Sequence, residues 1–165
     1  MGLAQDLLQL ATHLTTYGGD NPTQAALRRA VSTAYYALFH LLTEDAAQRL
    51  QELPAAFPGL ERSFQHGLMK NISTQFQNAT WTDWQGKTQA VPPTLQFVAK
   101  AFVYLQEKRH TADYDNHKQW TVTEVQALLA ATQLAFDDWL FILKRPNGRE
   151  LLISDAARQT APLNS

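Results

Sequence analysis

The chain has 165 residues, a net charge of −1 and no cysteine. This length fits one domain that buries a core without cross-links, and the lack of cysteine excludes disulfides and thiolate metal sites. The near-neutral charge excludes a protein that coats nucleic acid through its overall field, so nucleic-acid binding would need a local patch. We see neither a basic secretory leader nor an apolar run of membrane-spanning length, and we therefore expect a cytoplasmic protein.

The first two predicted elements are helices, because apolar residues recur at intervals of three and four. Leucines spaced in this way predict a helix over 2–16, which Gly18-Gly19 would end. Asn21 as an N-cap and Pro22 as the first helical residue then predict a second helix over 22–51. Apolar residues cover much of the circumference of this second helix, which indicates a central position or a subunit interface.

Three more helices are predicted after a gap in the apolar pattern. The third covers 58–77, and a polar loop over 78–93 separates it from the fourth, over 93–110. The fifth covers 122–145, and its start is marked by the capping box of Thr121 and Glu124. The fold class is therefore all-α, an up-and-down bundle of about five helices.

The domain boundaries follow from the last helix and its terminator, Pro146-Asn147-Gly148. Residues 1–148 are predicted to form a single helical bundle. Residues 149–165 are predicted to form a C-terminal tail that is a short helix or disordered.

The segment between the fourth and fifth helices concentrates chemistry-bearing side chains, since Lys108–Lys118 contains cations, imidazoles, carboxylates and a phenol. Arg109 continues the inward stripe of the fourth helix, and a buried charge needs a partner. Three interpretations are open: an ion pair with Asp113 or Asp115, a side chain that reaches the helix end, or a phosphate-binding residue in a cleft.

The histidines His110 and His117 are candidate acid–base groups, with two solvated histidines as the alternative interpretation. Arg28, Arg29, Lys70, Lys100 and Lys108 form a candidate basic patch for RNA if they cluster, and otherwise an ordinary mixed surface.

No metal or other cofactor is predicted. Glu107 and His110 match one Glu-x-x-His motif, whereas a di-iron bundle needs two. A three-histidine site drawn from His40, His66, His110 and His117 stays open as an alternative.

Two stretches resemble proteins of the HEPN family. Residues 27–40 read LRRAVSTAYYALFH, which is similar to a run on an early helix of many bacterial members. Residues 109–115 read RHTADYD, which is similar to an Arg-x-x-Ala-Asp-Tyr segment late in the same bundle. With the helical pattern, the resemblance covers roughly residues 20–145 and implies a HEPN-like bundle that dimerises.

In ribonuclease members of that family, the dimer brings together two copies of a motif in which four to six residues separate an arginine from a histidine. The resemblance implies metal-independent attack of a ribose 2′-hydroxyl on its phosphate, with Arg109 stabilising charge and a histidine moving protons. His110 is adjacent to Arg109, and seven residues separate Arg109 from His117, so neither histidine fits the motif.

The leading hypothesis is a dimeric, metal-independent endoribonuclease of a toxin–antitoxin or defence system. Its candidate catalytic residues are Arg109, His110, Asp113, Tyr114 and His117. The alternative is a non-catalytic HEPN module that binds a nucleotide, RNA or a protein partner. The resemblance also implies a cognate antitoxin or nucleotidyltransferase as a partner.

Overall fold

A computed structural model of the chain describes residues 2–52, 66–82 and 86–143. It is an all-α bundle, 74% helical, with five helices and one two-stranded hairpin in the described ranges. The elements are α1 (Leu3–Leu14), α2 (Gln24–Glu52), α3 (His66–Phe76), β1 (Thr80–Thr82), β2 (Thr88–Ala90), α4 (Pro93–Tyr114) and α5 (Val122–Leu143). Among the described residues, no helix has the length and apolar character needed to cross a membrane.

The predicted helices are confirmed with shifted ends. α2 begins at Gln24 because Thr23, and not the expected Asn21, is the N-cap: its Oγ1 accepts a hydrogen bond from the Ala26 N–H at 3.2 Å. α4 continues four residues beyond the predicted end at residue 110, so it includes Asp113 and Tyr114. The predicted residues 58–65 and the tail 149–165 lie outside the described residues.

The capping box at the start of α5 is confirmed in full. The Glu124 N–H donates to Thr121 Oγ1 at 3.1 Å, and the Thr121 N–H donates to Glu124 Oε2 at 2.9 Å. Lys118 Nζ adds a contact of 2.6 Å to Glu124 Oε1. The hydrogen bond from Lys118, then those from Thr121, hold the pKa of Glu124 at about 2, below its ordinary 4.5.

This capping box predicts a specific acid sensitivity. A carboxyl whose pKa is lower in the folded chain stabilises the fold above its unfolded pKa, and this contribution is lost as the pH falls from about 4.5 to about 2. We expect Glu124→Gln, which keeps an acceptor but no charge, to lose less stability over that window than the parent chain. Urea unfolding midpoints measured across the window test this, and parallel pH profiles for the two chains would contradict it.

Two compact units can be distinguished, and the first comprises Met1–Leu41 and Ala101–Asp137. Its centre is α2, where six consecutive residues from Ala30 to Tyr35 are all buried. The side chain of Arg28 contacts the end of α4, whereas Phe39, eleven residues later, packs on Phe102. The two helices are therefore antiparallel, and the prediction of a central second helix is confirmed.

The described residues of the second unit are 42–52, 66–82, 86–100 and 138–143. Its hairpin pairs β1 with β2 in antiparallel register, with Trp81 opposite Gln89. Trp81 is buried and packs on Phe76 of α3, with ring centroids 5.5 Å apart. The sequence predicted a polar loop here, and this was wrong because strands of three residues are too short to show an alternating pattern.

Candidate functional site

The site is built around Arg109, whose predicted inward phase on α4 is confirmed. Its side chain is 21% exposed, and its Nε lies 2.9 Å from Asp113 Oδ2, one helical turn later. Within the described part of the chain this nitrogen forms no hydrogen bond of regular geometry, so the contact with Asp113 is mainly electrostatic. Of the three interpretations left open by the sequence, the ion pair with Asp113 is therefore present, whereas Asp115 lies beyond the end of the helix.

Two tyrosines of α2 form a cradle for the guanidinium. The guanidinium carbon of Arg109 lies 5.7 Å from the ring centroid of Tyr35 and 5.6 Å from that of Tyr36. Both distances are within the range of cation–π attraction. Because the aromatic faces and the carboxylate both favour the cation, the charge of Arg109 is compensated within the first unit.

Further polar contacts fix this cluster between α2 and α4. The buried Ser32 hydroxyl donates to Asp113 Oδ1, and the phenol of Tyr35 is hydrogen-bonded to the side chain of Gln106. Burial raises the pKa of Tyr35 well above its ordinary 10, although the charge of Arg109 opposes the shift. Tyr35 is therefore a neutral hydrogen-bonding group near physiological pH.

Arg28, which lies on α2, contacts the C-terminal end of α4, near Asp113. Its guanidinium donates to three backbone carbonyls, those of Ala112 at 2.9 Å, Asp115 at 2.8 Å and Lys118 at 2.6 Å. These carbonyls lie in the last turn of α4 and in the connection to α5. Arg28 therefore holds the segment that carries three of the predicted catalytic residues, Asp113, Tyr114 and His117.

The outer face of α4 carries exposed aromatic rings paired with nitrogen-bearing side chains. Tyr114 is 66% exposed, and its ring centroid lies 4.9 Å from that of the exposed His110. Tyr104 is 45% exposed, with Lys108 Nζ 5.2 Å from its centroid. We call these four residues, Tyr104, Lys108, His110 and Tyr114, the α4 surface.

His117 lies in the connection after α4 and is exposed. Its backbone N–H and that of Lys118 both donate to Asp115 Oδ1, at 2.9 and 3.2 Å, which forms an Asx turn. Across the described part of the chain, the recorded partners of the Arg109 guanidinium are Asp113, Tyr35 and Tyr36. Neither His110 nor His117 is among them.

The predicted basic patch is divided. Arg29 is exposed on α2, and Lys108 belongs to the α4 surface, whereas the guanidinium of Arg28 is engaged by carbonyls. Lys70 is exposed on α3 and belongs to the second unit. Within the first unit, the candidate RNA contacts are thus Arg29 and Lys108, together with the partly exposed Arg109.

Five residues of the site were not among the predicted site residues: Ser32, Gln106, Tyr104 and the two tyrosines of the cradle, Tyr35 and Tyr36. The four-residue spacing of Tyr104 and Lys108 was a usable signal, because such residues are neighbours on a helix. The contact of Ser32 with Asp113 had no local signal, since it joins residues 81 positions apart.

The described residues include no group of three or more histidine, aspartate or glutamate side chains that could hold a metal ion. His66, one member of the three-histidine alternative, begins α3 in the second unit.

Comparison with known proteins gives no assignment. No family model matches the chain, and no significant match is found among curated proteins or solved structures.

Proposed function

We propose that this chain is a HEPN-like protein that binds single-stranded RNA at the α4 surface. The observation that carries the proposal is the pair of exposed tyrosine rings, Tyr104 and Tyr114, each beside a nitrogen-bearing side chain. Unpaired bases stack on such rings, and neighbouring cations attract the phosphates that link them.

The spacing of the two rings suits a strand. Tyr114 lies ten positions after Tyr104 on α4, which corresponds to about 15 Å along the axis at 1.5 Å per residue. Several bases stacked at about 3.4 Å per nucleotide span that length. Lys108 lies one helical turn after Tyr104, and its ammonium, 5.2 Å from the centroid of that ring, would meet a phosphate next to the stacked base.

Binding is supported better than catalysis by the surroundings of Arg109. Its charge is compensated by Asp113, and no histidine of the described ranges contacts its guanidinium. A catalytic arginine needs a free charge for the developing phosphorane, with a proton carrier within hydrogen-bond reach of the reacting atoms.

The second candidate function is the metal-independent endoribonuclease of a toxin–antitoxin or defence system. The observation that favours it is the exposed imidazole of His110, next in the chain to Arg109. An RNA strand lying on Tyr114 would bring a 2′-hydroxyl near this imidazole. In that case Arg109 would exchange Asp113 for the phosphate.

We expect Tyr114→Ala to weaken the binding of a fluorescent single-stranded RNA by roughly 5- to 150-fold, since loss of one stacking ring costs about 1–3 kcal/mol. Fluorescence anisotropy in the presence of EDTA measures this. Tyr17→Ala is the matched control, because Tyr17 is 61% exposed but lies outside the α4 surface. Equal affinities for the two variants would refute the proposal.

The same mixtures of protein and RNA also test the ribonuclease, the second candidate function, when the RNA is analysed on a gel. Cleavage that survives EDTA, leaves 2′,3′-cyclic phosphate ends and is lost in His110→Ala would establish the ribonuclease. Intact RNA together with binding that depends on Tyr114 would exclude the ribonuclease and support the non-catalytic binding module.

We also propose the homodimer that the family resemblance implies, and α1 supports it. Leu3 and Leu10 are 49% and 48% exposed, and with Leu7 and Leu14 they form a stripe spaced by four, three and four residues, beside the buried stripe of Ala4, Leu8 and Ala11. Such a seam packs well against another helix. We expect light scattering to give the mass of two chains, and the mass of one for Leu3→Lys/Leu10→Lys. A parent chain that is monomeric at all concentrations would contradict this.

A further inference from the structure

A groove separate from the α4 surface lies in the first unit between α1 and α5. Its volume is about 610 Å³, which is within the range of small-molecule sites. Among the described residues, its lining consists of four glutamines, three threonines, one histidine and two leucines, with no lysine, arginine, aspartate or glutamate. The absence of charged lining residues disfavours phosphorylated and carboxylated ligands, whose charge would lose water without gaining a partner.

The hydroxyl groups of the groove are oriented as acceptors. Thr12, Thr15 and Thr16 each donate their hydroxyl proton to a carbonyl of the α1 segment, at 3.0, 2.8 and 3.0 Å. Each hydroxyl oxygen therefore keeps lone pairs but has no proton to offer. A ligand that forms hydrogen bonds to these three hydroxyl oxygens must bring several O–H or N–H donors of its own.

The glutamines add groups that both donate and accept. Gln5 on α1 and Gln126 on α5 line opposite sides of the groove, and neither side-chain amide forms a hydrogen bond within the described part of the chain. Gln133 uses one N–H for Asp137 and retains its carbonyl oxygen and its second N–H. Leu8 and Leu129, 4% and 7% exposed, give the groove an apolar floor.

We propose that this groove binds a neutral saccharide. Each sugar hydroxyl can both donate and accept a hydrogen bond, so a saccharide can bind the threonine oxygens and the glutamine amides together. The C–H face of a pyranose ring can pack on the two leucines. The inference is independent of RNA binding, because it rests on α1 and α5 and uses no residue of the α4 surface.

The test is saturation-transfer NMR on the full chain with glucose, galactose, maltotriose and cellotriose as probes and glucose 6-phosphate as the charged comparison. We expect transfer to the ring protons of at least one neutral probe, with a millimolar dissociation constant. Glucose 6-phosphate should bind no more tightly than glucose. Gln126→Leu and Gln5→Leu should each weaken binding by about two- to tenfold, the effect of one neutral hydrogen bond.

Gln119→Leu is the matched control, since Gln119 is exposed between α4 and α5 and does not line the groove. Tyr114→Ala should also leave saccharide binding unchanged, which separates this inference from the proposed RNA site. Three results would overturn the inference: no transfer to any neutral probe, equal affinity in Gln126→Leu and Gln119→Leu, or tighter binding of glucose 6-phosphate than of glucose.

Discussion

Replacing Arg28 by alanine is expected to lower the free energy of unfolding by about 3 kcal/mol. One guanidinium donates to the carbonyls of Ala112, Asp115 and Lys118. A hydrogen bond to a charged group contributes roughly 1.5–3 kcal/mol. Two of these bonds are part-buried and the one to Asp115 is exposed, which reduces their sum. The positive charge also suits the negative end of the α4 dipole.

Arg29→Ala is the control for this prediction, because Arg29 is the adjacent residue of the same helix but is exposed. Its loss should change the free energy of unfolding by about 0.5 kcal/mol or less. Arg28→Lys should restore only part of the stability, since one ammonium cannot reproduce a planar fork that reaches three carbonyls. Urea unfolding measures all three variants, and equal midpoints for Arg28→Ala and Arg29→Ala would show that the three bonds contribute little.

Much of the fold could be predicted because its determinants are local. The inner stripe of α5, from Val125 through Phe136 to Ile142, is buried as its helical period indicates. The start of α5 was also predictable, because Thr121 and Glu124 satisfy each other within four residues. The end of α4 was not, because the Ala112 carbonyl of its last turn accepts a hydrogen bond from Arg28, which is 84 residues away in sequence.

The sequence predicted the helix face on which Arg109 lies, but not which residues contact its side chain. Helical register alone places Arg109 on the inner face of α4. The choice between Asp113 and Asp115 depended on whether the helix continued past residue 110, because only a continued helix brings Asp113 one turn above Arg109. The roles of Tyr35 and Ser32 depended on the antiparallel packing of α2 against α4, which single-sequence periodicity cannot specify.

Replacing Asp113 by asparagine is expected to change stability and RNA affinity in opposite directions. The asparagine side chain would still offer an oxygen to Ser32, so the substitution removes mainly the negative charge beside Arg109. Breaking a fully buried ion pair costs about 3–5 kcal/mol and an exposed pair about 0–1 kcal/mol. With side chains that are 21% and 29% exposed, we expect a loss of about 1–2 kcal/mol.

RNA binding should become stronger in the same variant, because the guanidinium of Arg109 would be free to meet a phosphate. One additional phosphate contact should also steepen the dependence of log affinity on log salt by about 0.7. Anisotropy titrations at several salt concentrations measure both quantities. In Arg109→Met/Asp113→Asn, part of the stability should return, since no uncompensated charge remains, whereas the gain in RNA affinity should disappear.

These two measurements distinguish a structural Arg109 from a functional one. If the ion pair only joins the turns of α4, Asp113→Asn will lose stability while its RNA affinity and salt slope stay at the parent values. If the ion pair with Asp113 instead prevents Arg109 from binding a phosphate, Asp113→Asn will be less stable than the parent chain but will bind RNA more tightly. Because the charge of Arg109 is compensated by Asp113 in the free protein, Arg109 can bind RNA only if a phosphate replaces the Asp113 carboxylate. The sign of the change in RNA affinity in Asp113→Asn reports whether that exchange occurs.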